Sequence, residues 1–233
     1  MNYQDLIILH EDNQIIVVLK PQNVPCCPDE SRDDNLLDCV KEYLKVTYNK
    51  PGNAYAGLVH RLDRPTGGVM VFAKTSKAAA RLGEAMKNGG FEKRYLTVLC
   101  GAPHKDKGIL ENYLRKNSIN NMVYVCTQTE EGAKYAALDY EIREKKDGLC
   151  LAEVNLHTGR THQIRVQFAA INTPVYGDMR YGGEKAQKGK LALWAYSLRF
   201  THPVTGEAMR FIAIPPEEGI WKNFSLNNIL QLQ

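Results

Sequence analysis

Apolar residues in this chain of 233 residues fall in short runs or alternate with polar residues, and turn-forming residues separate the runs. Short patterned runs of this kind predict β-strands. The predicted strands cover residues 6–9, 15–19, 56–59, 69–73, 95–99, 122–126, 134–143, 150–156, 191–200 and 210–214.

Three stretches have apolar residues at helical spacing instead. Asp34 or Asn35 has the side chain to cap the first of them. Thr75 or Ser76 has the side chain to cap the second, and a pair of glycines ends it. The predicted helices cover residues 35–47, 77–88 and 161–171.

The order of these elements predicts the fold class. Most strands follow one another through turns that are too short for parallel crossovers, which need a dozen or more residues. We therefore expect an α+β protein, with a mixed, largely antiparallel sheet flanked by a few helices. No linker interrupts the pattern, so we expect residues 1–233 to form a single domain.

Composition excludes several classes of protein. The chain is 44% hydrophobic and 24% charged with a net charge of +4, which is ordinary for a globular protein and unlike a disordered one. No apolar run approaches the ~18 residues that span a bilayer, and acidic residues flank the first apolar stretch. We expect a soluble, cytoplasmic protein without a secretory signal.

The six cysteines do not form a recognisable metal or disulfide pattern. No pair has the two-residue spacing of a zinc knuckle or a redox dithiol. We therefore expect reduced thiols and no metal site.

Positive charge is concentrated in the middle of the chain. Residues 1–50 have a net charge of −4, residues 51–116 of +7, and the remainder of +1. A local basic patch suits a phosphate backbone, although an ordinary solvated surface would have the same composition.

Two polar clusters are candidates for chemistry. Asp63 lies in the sequence His-Arg-Leu-Asp-Arg between two predicted strands, where a loop can hold a carboxylate rigidly and keep it accessible. Arg160, His162 and Gln163 lie at the start of the third predicted helix, where free N–H groups attract anions. Alternatively, Asp63 forms a turn or a salt bridge only. The start of the third helix is alternatively an ordinary solvated helix end that a threonine caps.

A third candidate is Tyr95, which begins a predicted strand after Lys93 and Arg94. By strand preference alone, a tyrosine here is more often a core or edge aromatic.

Together these segments resemble a known family. Residues 60–68 resemble the His-Arg-Leu-Asp signature of the RluA-type pseudouridine synthases. The resemblance continues in the same order through four further segments, which are residues 15–25 with Lys-Pro, residues 93–101 with Lys-x-Tyr, residues 159–178 ending in Gly-Asp, and residues 200–203. It covers roughly residues 5–215.

The resemblance implies roles for individual residues. Asp63 matches the catalytic aspartate, which acts as nucleophile or drives glycosidic cleavage. Tyr95 matches the active-site tyrosine that stacks on the target base, and Arg165 matches the basic residue that pairs with the aspartate. Arg61 matches the arginine proposed to replace the flipped nucleotide in the RNA.

The activity implied is conversion of uridine to pseudouridine in structured ribosomal or transfer RNA, with base flipping. It implies no cofactor and no metal, and we expect no obligate protein partner. We expect Arg160, His162 and Gln163 to contact RNA together with Arg61. The first predicted strand begins by residue 6, so we expect no N-terminal S4 domain.

The sequence departs from the family pattern at three positions. The family often has Ser at the position of Gly67, and His at those of Gln167 and Trp194. We interpret these as changes in RNA contacts. Two other functions remain open: an RNA-binding protein that has lost its chemistry, and a hydrolase that uses Asp63 or a cysteine.

Overall fold

A computed structural model describes residues 1–226 and residue 229 of the chain. The three α-helices are α1 (Leu36–Thr47), α2 (Ser76–Lys87) and α3 (Gln163–Ala170). The strands are β1 (Ile7–Glu11), β2 (Ile15–Lys20), β3 (Gly57–Leu58), β4 (Gly67–Ala73), β5 (Phe91–Cys100), β6 (Lys107–Lys116), β7 (Val123–Cys126), β8 (Lys134–Lys146), β9 (Leu149–Leu156), β10 (Leu193–Thr201) and β11 (Ala208–Ile212).

These elements confirm the predicted fold class, α+β with a mixed sheet and three helices. Asn35 caps α1 by accepting from the Asp38 N–H, and Thr75 caps α2 by accepting from the Ala78 N–H. Strand β6 was missing from the predicted set. Apart from the buried Leu114, its residues are exposed or half-buried, so its apolar signal is weak.

The chain divides into two compact units. The first comprises Met1–Glu92 and Ala195–Ala213, and the second comprises Lys93–Trp194 with the described residues from Ile214 onward.

In the first unit, the strands lie in the order β1, β2, β4, β10, β11, and β3 pairs with β4. Strands β2 and β4 are antiparallel, with Ile15 opposite Ala73 and Lys20 opposite Gly68. Almost every residue of these two strands is buried, which explains why they read as continuous apolar runs. Helix α2 packs on the core of this unit through Ala78 and Leu82.

In the second unit, the strands lie in the order β5, β9, β8, β6, β7, and all four pairings are antiparallel. Helix α3 packs against β6 and β7. There Val166 contacts a small core of Leu114, Val123 and Ala136.

Within the described residues, no helix is long and apolar enough to span a membrane. All six cysteines are free thiols, as predicted.

Candidate active site

Asp63 lies in a tight turn between β3 and β4. The Thr66 N–H donates to the Asp63 carbonyl over 2.9 Å, which closes the turn around Arg64 and Pro65. Leu62 and Thr66 are buried on either side, whereas the Asp63 side chain is half-exposed. The loop therefore fixes its backbone and presents its carboxylate.

A buried ammonium group forms hydrogen bonds to the backbone of this turn. Lys20, at the end of β2, is 0% exposed, and its Nζ donates to the carbonyls of Pro21, Arg64 and Thr66 over 3.0, 3.0 and 2.7 Å. Burial lowers the pKa of Lys20 from 10.5 to about 8, and the nearby charge of Asp63 acts in the opposite direction. Lys20 is thus both a brace for the turn and a cation close to Asp63.

The segment after Lys20 forms further hydrogen bonds to the same turn. Gln22 donates to the Pro65 carbonyl over 2.9 Å, and the Asn23 N–H donates to the Arg64 carbonyl over 2.8 Å. The Arg64 side chain returns to the Asn23 carbonyl and also pairs with Asp33. Arg64 therefore anchors the loop to this segment.

A buried thiol fixes the residue before Asp63. The Leu62 N–H donates to Sγ of Cys26 over 3.3 Å, and that Sγ lies 3.1 Å from the Leu62 carbonyl. Burial raises the pKa of the Cys26 thiol, so it stays protonated and can donate to this carbonyl. The sequence pointed to the Lys-Pro pair only through the resemblance, and it contained no signal for Cys26.

His60 and Arg61 point to different surroundings. Nε2 of His60 accepts from the Val71 N–H over 3.2 Å, and its ring lies 6.5 Å from that of Phe91. His60 therefore supports the loop from inside the first unit. Arg61 is exposed.

In the second unit, Tyr95 lies on β5 opposite Val154 and is 7% exposed. Lys93 is two residues earlier and on the same face, and burial lowers its pKa. Its Nζ lies 3.3 Å from where a Cβ on Gly159 would be, so Lys93 packs over the start of the 159–178 segment. Two of the five segments that carry the resemblance, residues 93–101 and 159–178, thus meet at Lys93.

Arg94 lies on the opposite face of β5 from Tyr95. Its Nη1 donates to Glu153 over 3.1 Å, and Glu153 also binds Arg143. The alternation of side chains along a strand separates the two cations that are adjacent in sequence. Of the pair, only Lys93 shares the face of Tyr95.

Arg165 lies on α3 and forms a two-pronged ion pair with Asp178. Its Nε and Nη2 donate over 2.7 and 2.8 Å, and the two side chains are 7% and 0% exposed. This is the strongest kind of charge-assisted hydrogen bond. It uses two of the five N–H groups of Arg165 and fixes the plane of the guanidinium.

The start of α3 differs from the prediction. The helix begins at Gln163 rather than near Thr161, and His162 precedes it in the left-handed region with φ of +52°. Gln163 is buried. Its Oε1 accepts from the Arg160 N–H over 3.0 Å and from Thr158 over 2.8 Å, and its Nε2 donates to the Ala137 carbonyl.

These contacts change what the predicted RNA-contacting residues can do. Gln163 is engaged within the protein and supports Arg160 instead of facing solvent. Arg160 is exposed and donates to the Tyr135 carbonyl over 2.8 Å, and His162 is half-buried. No threonine caps the helix, because the Gln163 amide binds the backbone at this point.

Gln167 and Trp194, two of the residues at which the sequence departs from the family pattern, lie in the interior. Gln167 is fully buried and donates to the Leu110 carbonyl and to Asn112 over 3.0 and 2.9 Å. Trp194 is also buried. Both side chains are buried, and the effect of these two departures on RNA contacts stays a prediction. Gly67 is buried as well, at the start of β4.

No group of three or more potential metal ligands occurs among residues 1–226 and 229.

The architecture matches that of known enzymes. The structure of human RNA pseudouridylate synthase domain containing 4 superposes with a TM-score of 0.76 at 22% identity, covering 90% of this chain and 88% of that one. For human RNA pseudouridylate synthase domain containing 1, the TM-score is 0.76 at 23% identity, covering 100% and 96%. The fold is therefore that of a pseudouridylate synthase.

Sequence comparison defines the family. Residues 14–170 match the family model described as RNA pseudouridylate synthase. An RNA pseudouridine synthase of Bacillus subtilis is 33% identical, over 91% of this chain and 74% of the relative. Ribosomal large subunit pseudouridine synthase D of Xanthomonas campestris is 33% identical over 91% and 67%, and synthase C of Escherichia coli is 30% identical over 92% and 67%.

The chain belongs to the RluA-type pseudouridine synthase family. It is an isomerase that converts uridine in RNA to pseudouridine.

Proposed function

We propose that this enzyme modifies uridine in ribosomal RNA, with Asp63 as the catalytic carboxylate. Two relatives named for the large ribosomal subunit, each covered over two thirds of its length, support this substrate over transfer RNA. A ribosomal RNA substrate also favours the predicted cytoplasmic location. We propose further that residues 1–233 act as the catalytic domain, without an obligate protein partner.

The hydrogen bonds around the Asp63 turn are the observation that carries the proposal. Two carbonyls of the turn, those of Arg64 and Thr66, accept from one buried ammonium that also binds the Pro21 carbonyl, and Leu62 binds a buried thiol. A half-exposed carboxylate on so constrained a backbone is pre-organised, as a nucleophile needs to be. A turn that served only to connect two strands would not require this support.

The reaction breaks the N1–C1′ bond and forms a C5–C1′ bond. The uracil gains a proton at N1 and loses one from C5, so the reaction is redox-neutral and needs no oxidant or reductant. In our proposal the Asp63 carboxylate drives cleavage of the glycosidic bond, and Arg165 is the basic residue that keeps it ionised.

We propose that Tyr95 stacks on the target base after the base has left its helix. Flipping the base costs a few kcal/mol, which stacking and pocket hydrogen bonds offset. Arg61, exposed beside Asp63 in sequence, would enter the gap in the RNA, where a planar guanidinium can stack and hydrogen-bond. Arg160 and His162 are the further RNA contacts that we retain.

The test measures tritium release from RNA labelled at C5 of uracil, with ribosomal and transfer RNA in separate reactions. We expect release from ribosomal RNA by the wild-type enzyme, and release at background by Asp63→Asn with RNA binding retained. Asp5→Asn, an exposed carboxylate near the chain start, is the matched control and should keep full activity.

Two results would contradict the proposal. Undiminished release by Asp63→Asn would remove this residue from the chemistry. Release from transfer RNA alone would refute the substrate.

A further inference from the structure

Tyr181 connects three parts of the second unit. Its Oη lies 2.7 Å from Nδ1 of His162 and 3.0 Å from the N–H of Val123. Its ring lies 5.1 Å from the guanidinium carbon of Arg165. No signal in the sequence singled out this residue.

These partners determine which hydrogen bonds the Tyr181 hydroxyl accepts and which it donates. A backbone N–H can only donate, so the hydroxyl accepts from Val123 and its own hydrogen is available for Nδ1 of His162. Burial raises the pKa of the Tyr181 phenol, so this hydrogen is present at neutral pH. When the hydroxyl donates to Nδ1 of His162, that nitrogen is the acceptor and a neutral imidazole carries its hydrogen on Nε2.

The ring of Tyr181 covers one face of Arg165, and Asp178 holds one edge of the same guanidinium. Asp178 also accepts from the N–H groups of Arg180 and Tyr181 over 3.0 and 3.1 Å. The carboxylate that fixes Arg165 thus also fixes the backbone of the residue that covers Arg165. Cation–π contact adds to an ion pair that is already desolvated.

The hydroxyl acts on two other elements. His162 has a φ of +52°, a conformation that costs an ordinary residue free energy and needs support from its surroundings. Val123 begins β7, the strand at the end of the β6–β7 hairpin, and a buried N–H there requires a partner. One hydroxyl meets both requirements.

We propose that Tyr181 is a positioning residue of this enzyme. Its ring fixes the guanidinium of Arg165, and its hydroxyl fixes His162 and the β6–β7 hairpin. This proposal rests on the proposed function for the roles of Arg165 and His162. Its consequence is that the charge acting in the chemistry and the residue contacting RNA are set by one side chain.

Two substitutions separate the ring from the hydroxyl. Tyr181→Phe keeps the ring over Arg165 and removes the hydroxyl, whereas Tyr181→Leu removes both. Tyr176→Phe is the matched control, because its hydroxyl donates to a loop carbonyl at Lys188 in the same part of the chain.

The first measurement needs no RNA. In Tyr181→Phe, we expect faster amide exchange at Val123 and loss of the Nε2-protonated tautomer as the single form in the ¹⁵N spectrum of His162. Tyr176→Phe should leave both signals unchanged. Wild-type exchange and an unchanged imidazole spectrum in Tyr181→Phe would overturn the inferred contacts, whether or not the RNA substrate is correct.

The second measurement is the single-turnover rate of pseudouridine formation, taken well below the melting temperature of each variant. We expect Tyr181→Phe to slow this rate about tenfold, the factor that corresponds to loss of roughly one hydrogen bond, with little change in RNA dissociation constant. Tyr181→Leu should slow it by a further factor of about ten. Rates equal to wild type in folded Tyr181→Leu would refute a positioning role, whereas a wild-type enzyme inactive on ribosomal RNA would refute the proposed substrate instead.

Discussion

Substituting Lys20 by methionine tests how the Asp63 turn is held. Methionine has a similar length but no ammonium, so the three carbonyls of Pro21, Arg64 and Thr66 lose their shared donor. Hydrogen bonds to a charged donor contribute about 1.5–3 kcal/mol each, or roughly 4.5–9 kcal/mol for three. Burial opposes this: a pKa lowered from 10.5 to about 8 corresponds to about 3.4 kcal/mol against the charged form.

The difference predicts that Lys20→Met lowers the free energy of unfolding by about 3 kcal/mol at pH 7. Urea denaturation of both proteins measures it, with Lys41→Met as a control because Lys41 is exposed and pairs with Asp38 at the surface. Equal stability of wild type and Lys20→Met would refute the idea that the ammonium braces the turn.

The same residue predicts a dependence on pH with a definite sign. Between pH 8 and 10.5 the unfolded chain binds a proton at Lys20 that the folded protein has lost, so folded stability rises with pH. This contribution is complete above pH 10.5 and is lost as the pH falls through 8. The stability difference between wild type and Lys20→Met should therefore grow by about 3 kcal/mol over this range, and a difference independent of pH would contradict a lowered pKa.

Two further predictions concern close packing and buried charge. Gly68 has a φ of +129°, and a Cβ there would lie 2.2 Å from a backbone oxygen of β10, so Gly68→Ala should prevent stable folding. Gly83 lies in the interior of α2 with open space around it, so Gly83→Ala should add up to about 1 kcal/mol to the free energy of unfolding in the same denaturation assay. Asp178→Asn removes the buried carboxylate that holds the guanidinium of Arg165 and should cost about 3 kcal/mol or more, whereas Asp106→Asn, which breaks an exposed pair with Lys145, should cost less than about 1 kcal/mol. A large loss of stability in Gly83→Ala, or a small one in Asp178→Asn, would contradict the packing described for these two sites.

Secondary structure was predictable where the pattern is local. Strands β2 and β4 are buried on both faces and read as apolar runs, and the caps at Asn35 and Thr75 follow from side-chain chemistry. Strand β6 and the start of α3 were not predicted correctly. Strand β6 has a weak apolar signal, and the start of α3 is set by polar contacts across the fold, such as that of Gln163 to Ala137.

The sequence also indicated which residues are candidates for the site, but it did not indicate which residues they contact. Family resemblance pointed to Arg165, and the structure adds its bidentate pair with Asp178 and its contact with Tyr181. Gln163 was expected at the surface and is buried. Burial depends on what packs against a residue, and one sequence does not contain that information.

By itself, the sequence determined the order of the elements, the α+β class and the segments that define the family, because propensity and hydrophobic period act between near neighbours. Only the tertiary structure decided which groups hold those segments. Lys20 reaches the Thr66 carbonyl across 46 positions of sequence, and Tyr181 reaches Val123 across 58. Such hydrogen bonds form because a buried donor or acceptor cannot bond to water and must pair within the protein. Folding is what buries these groups, so the sequence alone does not show which of them pair.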